Sequence, residues 1–528
     1  MPTSFSWVPG ATTPVRQRVV SCLPGPIGLT GVAMLLAGLW WIRLSFGGMM
    51  GLDDLYTATL VDTPSLGHMW DGAIRGVDGN PPLYLSIAWA LTHTLDAAPD
   101  RVLRPFNLVL LAATAAVAYR IGRRLASPWA VAVTLALLPI VDGMVGYALL
   151  AVRTYALYLF LVSATLLAAL RVVDRPSPAR AIALAGIGLL ATLAHSFGGF
   201  YVLATLGAAG LACFAGRDRR AAAALGLAAA PSFTALLAWI AVSFPFQKAV
   251  ATPYGWIPVP HVDTLLDALT GSLPLTIALG IVLALAAARL RFDPRRLIME
   301  RRDVAALYAA LLSYAGLTLA AWLGSQLITP FFIQRYFIPN LLIAALLPLP
   351  AVEAARHGVR PAALAGTAAT CVLIWCWSLS LDNWQEYIPC VDAQGRFLEA
   401  DAARGGLPVV AVSPHAWLPR ARYAPDQTTL YPLDWRVVLD YPDRARNNAM
   451  DFHIMEILRG WAPPGSALGA NVLSTNDILA QGHFLVLDEA ARGWFDGLRG
   501  RHAVRATLVR KSPDCRLWEV ALGDPARP

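Results

Sequence analysis

Long apolar runs alternate with short polar segments over roughly the first 380 residues of the chain. Eleven of these runs approach the length of about 20 residues that a helix needs to cross a bilayer. They lie near 25–46, 103–121, 127–143, 152–172, 179–194, 198–214, 221–244, 263–289, 304–326, 334–352 and 361–380. This pattern predicts an all-α polytopic membrane domain, with about eleven transmembrane helices, over residues 25–380.

Residues 381–528 carry more charge, and their apolar runs are shorter. Strand-like runs alternate with helical stretches in this region. The strand-like runs lie at 408–412, 483–487 and 503–509, and the helical stretches at 447–460 and 489–499. The alternation predicts a small α/β soluble domain that is long enough to have its own core.

The composition supports integration into a membrane. Of the 528 residues, 57% are hydrophobic and only 14% are charged, whereas soluble domains are about 25% charged. The net charge of +8 comes from arginine clusters in short segments between apolar runs, which is the positive-inside pattern. We therefore expect membrane lipids around the chain and no nucleic-acid partner.

The arginine clusters also set the orientation of the predicted spans. Segment 1–24 carries arginines and is followed by an apolar run without a small-residue cleavage site, so it is expected to be a cytoplasmic N-terminus. The later clusters stay cytoplasmic only if segment 81–96 is a juxtamembrane or re-entrant helix. The loop 47–102 and residues 381–528 are then periplasmic, in a bacterial inner membrane. The same parity makes 144–153 an external loop.

Asp53 and Asp54 begin the first external loop, just beyond the first predicted span. A carboxylate at this position often marks only the end of a span. Two adjacent acids before a moderately apolar segment are also suited to a catalytic role. They can activate an acceptor hydroxyl as general base, or hold a divalent cation against a phosphate leaving group.

Further candidate residues fall in segments that are predicted on the same face. They are expected to bind the donor phosphate or the substrate, and they are Tyr84, Arg153, Tyr155, His195, Lys248, Arg335 and Tyr336. For the histidine, the arginines and the lysine a purely structural role is the alternative. A membrane histidine is often packed in a core, an external arginine can be an interfacial residue, and a lysine can extend its charged end to the membrane surface. Arg335 lies away from the cytoplasmic face where structural arginines belong, so phosphate binding is the favoured role.

The order and spacing of these residues resemble those of the bacterial relatives of protein O-mannosyltransferases and of the aminoarabinose transferase that acts on lipid A. The resemblance covers roughly residues 25–380 and implies a type C glycosyltransferase fold. The matching positions are Asp53 and Asp54 with the family's leading acidic pair, Pro81 to Tyr84 with its Pro-Pro-Leu-Tyr, Arg153 and Tyr155 with its Arg-x-Tyr, His195 with its His-Tyr-Phe, and Arg335 and Tyr336 with its Arg-Tyr. It implies that Asp53 is the catalytic base and that the arginines bind the donor phosphate.

Two departures from the family pattern affect the expected site. Asn80 replaces the family's histidine before the two prolines, and Ala151 stands where the family has a glutamate. If that glutamate helps to hold a metal, the task here falls to Asp54 or Asp142, or metal dependence is weaker. The sequence leaves open whether a divalent cation, Mg²⁺ or Mn²⁺, is needed.

The resemblance implies an inverting glycosyltransferase that moves a hexosyl or pentosyl group from a polyprenyl-phosphate-linked donor to an envelope acceptor. That acceptor is lipid A, an oligosaccharide, a cell-wall glycan or a protein. The alternatives are an O-antigen polymerase or ligase and a transporter of lipid-linked sugars. A polymerase predicts a large loop between late spans. A transporter predicts inverted repeats and ionisable residues at mid-membrane. The sequence shows neither the loop expected of a polymerase nor the two features expected of a transporter.

Cys390 and Cys515 both lie in the region predicted to be soluble. A periplasmic location would allow them to form a disulfide. The sequence alone does not bring their Cα atoms within bonding distance, so the pairing is left open.

Overall fold

The computed structural model describes residues 49–141, 143–251, 257–270, 299–355, 388–392, 394–401, 406–433, 449–463, 465–489 and 493–523. Helices make up most of this part of the chain, and a sheet forms near its C-terminal end. The predicted spans 25–46 and 361–380 lie outside the described residues, as does the part of 263–289 beyond residue 270.

The helical region consists of fourteen α-helices among the described residues. They are α1 (Leu52–Val61), α2 (Leu66–Gly72), α3 (Leu83–Leu95), α4 (Pro99–Gly122), α5 (Pro128–Val141), α6 (Gly143–Leu150), α7 (Tyr155–Asp174), α8 (Pro178–Ala194), α9 (Gly198–Ala215), α10 (Arg219–Ala251), α11 (Val262–Thr270), α12 (Arg302–Leu327), α13 (Leu341–Leu346) and α14 (Leu349–Ala355). A π-helical turn, Ala73–Val77, follows α2, and a 3₁₀ helix, Gln334–Asn340, precedes α13.

Five of the described helices are long and apolar enough to cross a membrane. They are α4, α7, α9, α10 over Arg219–Phe246, and α12. Large apolar side chains such as Leu227 and Phe233 on α10 and Leu312 on α12 are exposed, as expected for helices that face lipid. The chain is thus a membrane protein, but the described residues do not confirm about eleven spans.

Segment 81–96 forms a helix, α3, as predicted. Its 13 residues extend only about 20 Å at 1.5 Å per residue, which is short of the roughly 30 Å hydrocarbon core. The helix begins directly after Pro82, since proline fixes φ and needs no amide partner at a helix start.

Two predicted elements differ in the structure. The apolar stretch 334–352 is not one helix but the 3₁₀ helix followed by α13 and α14, because Pro339 and Pro348 cannot supply amide donors inside a helix. The predicted external loop 144–153 is mostly helical, as α6, since its sequence MVGYALL contains no proline or charged residue.

The C-terminal region contains a six-stranded mixed sheet in the order β3-β2-β1-β4-β6-β5. The strands are β1 (Val409–Ala411), β2 (Thr429–Pro432), β3 (Val472–Leu473), β4 (His483–Glu489), β5 (Val504–Lys511) and β6 (Cys515–Leu522). The helices are α15 (Pro414–Tyr423), α16 (Ala449–Trp461), α17 (Ala467–Asn471), α18 (Thr475–Leu479) and α19 (Trp494–Arg501). The three predicted strands and both predicted helical stretches are therefore present, although α19 begins five residues later than predicted.

Cys390 and Cys515 form a disulfide, with their Cα atoms 5.1 Å apart. Close to it, the guanidinium of Arg420 on α15 donates to the carbonyl oxygen of Cys390 and is paired with Glu399. Both charged side chains of that pair are fully buried. The segment that enters the sheet region is thereby fastened to α15.

Helix α15 also contacts α1, which carries Asp53. The Tyr423 hydroxyl accepts a hydrogen bond from the Met50 amide at 3.0 Å, and Arg422 pairs with Asp62 at 2.7 Å. A second contact joins α16 to α2, where the Trp461 ring stacks on His68 at 4.4 Å. The sheet region therefore packs on the short helices that form the site.

Candidate functional site

Asp53 and Arg335 form an ion pair, although they are far apart in the sequence. Arg335 Nη2 lies 2.6 Å from Asp53 Oδ2, and the two side chains are 24% and 32% exposed. Asp53 is in the first turn of α1, and Arg335 is in the 3₁₀ helix before α13. The pair joins a carboxylate that can accept a proton to a guanidinium that can bind an anion, and both remain accessible.

The ionisation of Asp53 is set by its surroundings. Burial alone would raise the pKa of Asp53, but the charges of Arg335, Arg153 and His415 outweigh it and lower the pKa below its usual value. Asp53 is therefore a carboxylate at neutral pH. A lowered pKa also means that Asp53 is a weak base for as long as Arg335 is paired with it.

Arg153 lies in a more enclosed position and makes three contacts through Nη1. It pairs with Asp78 Oδ2 at 2.9 Å, and it donates to the Asp53 carbonyl oxygen at 3.2 Å and to Thr57 Oγ1 at 3.1 Å. Both charged side chains are less than a tenth exposed. Arg153 therefore holds the first turn of α1 in place through the backbone of Asp53 and the side chain of Thr57.

Asn80 joins this network to the turn after α8. Its backbone amide and its Nδ2 both donate to Asp78 Oδ1 at 2.9 Å. Its side-chain oxygen accepts from the Ser196 amide at 3.4 Å, and Ser196 Oγ donates to the Gly79 carbonyl oxygen at 2.7 Å. The loop before α3 and the turn that contains His195 are thus held against each other.

His195 is in the turn between α8 and α9 and is 1% exposed. Its ring stacks on Tyr158 at 4.4 Å with an interplanar angle of 7°, and Tyr155 and Tyr336 lie 5.8 and 5.4 Å away. The predicted residues His195, Tyr155 and Tyr336 are therefore brought together. Burial, together with the charges of Arg153 and Arg335, lowers the pKa of His195 to about 3.

The tyrosines extend this cluster to Arg335. Arg335 Nη1 donates to the Tyr147 hydroxyl at 3.4 Å, and the rings of Tyr147 and Tyr155 are 5.3 Å apart. Asp54, the next residue on α1, is 2% exposed and Tyr84 is 3% exposed. Asp54 lies close enough for its charge to act on Tyr84, and burial together with that charge raises the pKa of Tyr84 well above its usual value.

The remaining candidates do not join the site among the described residues. Lys248 is exposed near the end of α10, and the charged groups that act on Asp53 are Arg335, Arg153 and His415 instead. Asp142 lies outside the described residues. No group of three histidine, cysteine or acidic side chains in the described ranges is arranged to hold a metal.

Two acids of the site are paired with arginines. Asp53 is paired with Arg335, and Asp78 is paired with Arg153. A guanidinium partner competes with a divalent ion for the same oxygens. Asp54, one of the two metal ligands that the sequence offers, is buried on α1, and the need for a divalent cation stays a prediction.

Sequence reasoning missed three residues that act on the site. Asp78 pairs with Arg153, Tyr147 contacts Arg335, and His415 of α15 acts on Asp53. The sequence around Asp78 carried a local signal. An aspartate in a turn commonly accepts a hydrogen bond from the backbone amide two residues later, which here is the amide of Asn80. Tyr147 lies within an apolar run and His415 some 360 residues from Asp53, and neither position carries a comparable signal.

No family model matches the chain, and no curated protein matches it. Solved structures with a similar arrangement include the oligosaccharyltransferase of Archaeoglobus fulgidus. The crystal structure of its complex with Zn and sulfate is 13% identical with a TM-score of 0.45, over 66% of this chain. This chain spans about half, 52%, of the length of that protein.

A second structure is the archaeal oligosaccharyltransferase AglB of the same organism, in complex with an inhibitory peptide and a dolichol-phosphate. It is 11% identical with a TM-score of 0.49, over 94% of this chain and 74% of that chain. The Archaeoglobus fulgidus oligosaccharyltransferase tethered with an acceptor peptide via a disulfide bond gives a TM-score of 0.47 at 11% identity, over 94% of this chain and 74% of that chain. Similarity at this level does not decide the function of this chain.

Proposed function

We propose that this protein is a membrane glycosyltransferase that moves a sugar from a polyprenyl-phosphate-linked donor to an acceptor hydroxyl. The observation that carries the proposal is the ion pair of Asp53 and Arg335. It puts a general base and an anion-binding group side by side, partly exposed, on short helices next to apolar spans. This arrangement suits a reaction whose leaving group is a phosphate carried by a lipid.

In the proposed reaction, Arg335 binds the donor phosphate. Its guanidinium stabilises the negative charge that grows on the phosphate oxygen as the bond to the anomeric carbon breaks. The acceptor oxygen forms the new bond to that carbon, and its proton passes to Asp53. The products are the glycosylated acceptor and the polyprenyl phosphate.

Binding of the phosphate also changes Asp53. Arg335 is the first of the charges that lower the pKa of Asp53, so a phosphate that shares Arg335 weakens that effect. The pKa of Asp53 then rises and the carboxylate becomes a stronger base. Donor binding and activation of the base are coupled through one guanidinium.

Arg153 has a different part in this proposal. Its contacts with the Asp53 carbonyl oxygen, Thr57 and Asp78 use one edge of the guanidinium to hold α1. Its positive charge also helps to keep Asp53 ionised. Direct contact with the phosphate is assigned to Arg335. Asp54, the second catalytic acid expected from the sequence, is buried on the same helix turn, and its charge acts on Tyr84.

Attack from the side opposite to the lipid phosphate predicts inversion at the anomeric carbon. NMR of the product linkage, compared with the linkage of the lipid-bound donor, measures this directly. Retention of the donor's configuration would contradict the proposed single displacement.

The α15 helix of the sheet region packs on α1 and brings His415 close to Asp53. The sheet region is therefore in a position to contact the acceptor, which we propose to be an envelope lipid, glycan or protein. We also propose that the protein lies in a bacterial inner membrane, with the sheet region in the periplasm.

The experiment compares mass spectra of envelope glycans and lipids from the host, a deletion strain and the deletion strain complemented with the gene. The proposal expects the deletion to remove one sugar from an envelope molecule and to accumulate the polyprenyl-phosphate-linked precursor. An unchanged envelope would contradict it. Shortened polymer chains with all sugar types retained would instead favour a polymerase, the second candidate from the sequence.

A further inference from the structure

His195 is held in a fixed orientation that leaves one of its ring nitrogens unused. Its Nδ1 accepts a hydrogen bond from the Phe197 amide at 3.0 Å. The Nε2 atom is buried and makes no hydrogen bond to any residue that the structure describes. A buried polar atom without a partner is unfavourable because it has lost its hydrogen bonds to water, so an unused Nε2 in an otherwise well-bonded turn points to a ligand.

The turn around His195 is tightly held from both sides. The Ala194 carbonyl oxygen accepts a hydrogen bond from Thr154 Oγ1 at 2.6 Å, and Ser196 is bound to Gly79 and Asn80. Gly198 allows the close return of the chain, because a Cβ at this position would lie 2.0 Å from the Ala191 carbonyl oxygen. The ring orientation is thus imposed by the backbone and by the stack on Tyr158.

The protonation state of the ring follows from these contacts. Nδ1 is an acceptor and therefore carries no hydrogen, and the lowered pKa keeps the imidazole neutral. In a neutral imidazole the other nitrogen carries the hydrogen. Nε2 is consequently an N–H donor, and it can neither ligate a metal nor accept a proton.

The groups around the ring are donors as well. They are the guanidinium groups of Arg153 and Arg335 and the hydroxyls of Tyr155 and Tyr336. Among them, Tyr155 Oη is also buried without a hydrogen bond to a described residue. A cluster of N–H and O–H donors matches an anion that has several acceptor oxygens, such as a phosphate.

We propose that His195 is a neutral hydrogen-bond donor to the phosphate of the lipid-linked sugar, with Nε2–H bound to a phosphate oxygen beside Arg335. This inference rests on the proposed function and assigns His195 a single tautomer and task. A neutral imidazole can polarise an oxygen without giving up its proton. The C–O electron pair therefore goes to the phosphate oxygen, and the acceptor's proton goes only to Asp53.

The test measures binding of undecaprenyl phosphate to the purified full-length protein in detergent by calorimetry. His195→Phe keeps a ring for the stack on Tyr158 and removes both nitrogens, whereas His195→Gln keeps an amide N–H within reach of the Nε2 position. We expect binding at least about tenfold weaker for His195→Phe, as for loss of a hydrogen bond to a charged group. The affinity of His195→Gln should lie between those of the wild type and His195→Phe. The control His483→Gln, a change at an exposed histidine on β4, should bind as the wild type does.

The pH dependence separates a neutral donor from an imidazolium. The ratio of the dissociation constants of His195→Phe and wild type should be the same at pH 5.5 and pH 8. A ratio that grows several-fold at the lower pH would show a charged ring and overturn the proposal, and so would a ratio near one at both values. If His195→Phe does not fold, His195→Ala takes its place. Binding at least about tenfold weaker than wild type by His195→Ala, with His195→Gln binding more tightly than His195→Ala, supports the proposal, and wild-type-like binding by His195→Ala overturns it.

The two proposals fail differently in this experiment. If the wild type does not bind undecaprenyl phosphate, the proposed function itself fails. If the wild type binds and Arg335→Ala abolishes binding while His195→Phe does not change it, only the role of His195 is wrong.

Discussion

Arg153 and Arg335 carry the same charge, but their contacts give them different tasks. Arg153 is enclosed and bonded to Asp78, Thr57 and the backbone of Asp53. Arg335 is partly exposed and pairs with the Asp53 carboxylate. The first arginine determines where Asp53 lies, and the second determines how strongly Asp53 holds a proton.

Replacing Arg335 by glutamine should shift the acid limb of the pH profile of sugar transfer. In the wild type the lowered pKa keeps Asp53 ionised to low pH, and the base is lost only as pH falls through that lowered value. Without the charge of Arg335 the pKa of Asp53 rises, so the limb should move to higher pH. Arg75→Gln, which breaks the exposed pair with Asp71, should leave it in place. An acid limb that does not move in Arg335→Gln would exclude Asp53 as the titrating base.

Among the elements, the short α1 depends on contacts from three sides. Arg153, at the entrance to α7, holds its first turn, Tyr423 and Arg422 of α15 contact its two ends, and Arg335 comes from the 3₁₀ helix before α13. An isolated helix of 10 residues is marginal in water. Its position is therefore a property of the assembled elements.

Asp78→Asn should destabilise the protein far more than Asp71→Asn. The first change removes the carboxylate that pairs with the buried guanidinium of Arg153, and breaking a buried ion pair from one side costs about 3–5 kcal/mol. The second removes an exposed pair with Arg75, about half exposed on both sides, worth about 1 kcal/mol or less. Thermal unfolding in detergent compares the two variants directly. Equal melting temperatures would show that the buried pair does not fix α1.

The sequence predicts elements better than it predicts the contacts between them. Apolar length indicated the helices α4, α7, α9, α10 and α12, and alternation indicated β1, β4 and β5, because both signals are local. Pro339 and Pro348 interrupt a run that hydropathy alone treats as continuous. The order of motifs indicated Asp53, Arg335 and His195, but the division of labour between the arginines depends on Asp78, which only the folded chain brings to Arg153.

At the scale of the whole molecule, the sheet region and the helical region meet at the site. The disulfide between Cys390 and Cys515 closes a segment with a sequence separation of 125 residues, and Arg420 links it to α15. Helix α15 in turn contacts α1. Covalent closure of the sheet region therefore supports the position of the helix that carries His415.

The double variant Cys390→Ala/Cys515→Ala should unfold more readily in the sheet region. Loss of a disulfide that closes a long loop typically costs about 2–5 kcal/mol. Trypsin cleavage at Arg396, whose side chain is 65% exposed, reports on this segment by mass spectrometry. We expect faster cleavage in the variant and in reduced wild type, with no further effect of reductant on the variant. Equal rates in all four samples would show that the disulfide does not constrain this segment.

The central claim is that Asp53 takes the proton of the acceptor, and a single-turnover assay of the purified protein tests it most directly. The assay uses lipid-linked sugar and acceptor extracted from the deletion strain and follows release of polyprenyl phosphate. Asp53→Asn should slow release by about 10²–10⁴-fold, the usual contribution of a general base, while Asp71→Asn should react at the wild-type rate. Release at the wild-type rate by Asp53→Asn would contradict the account.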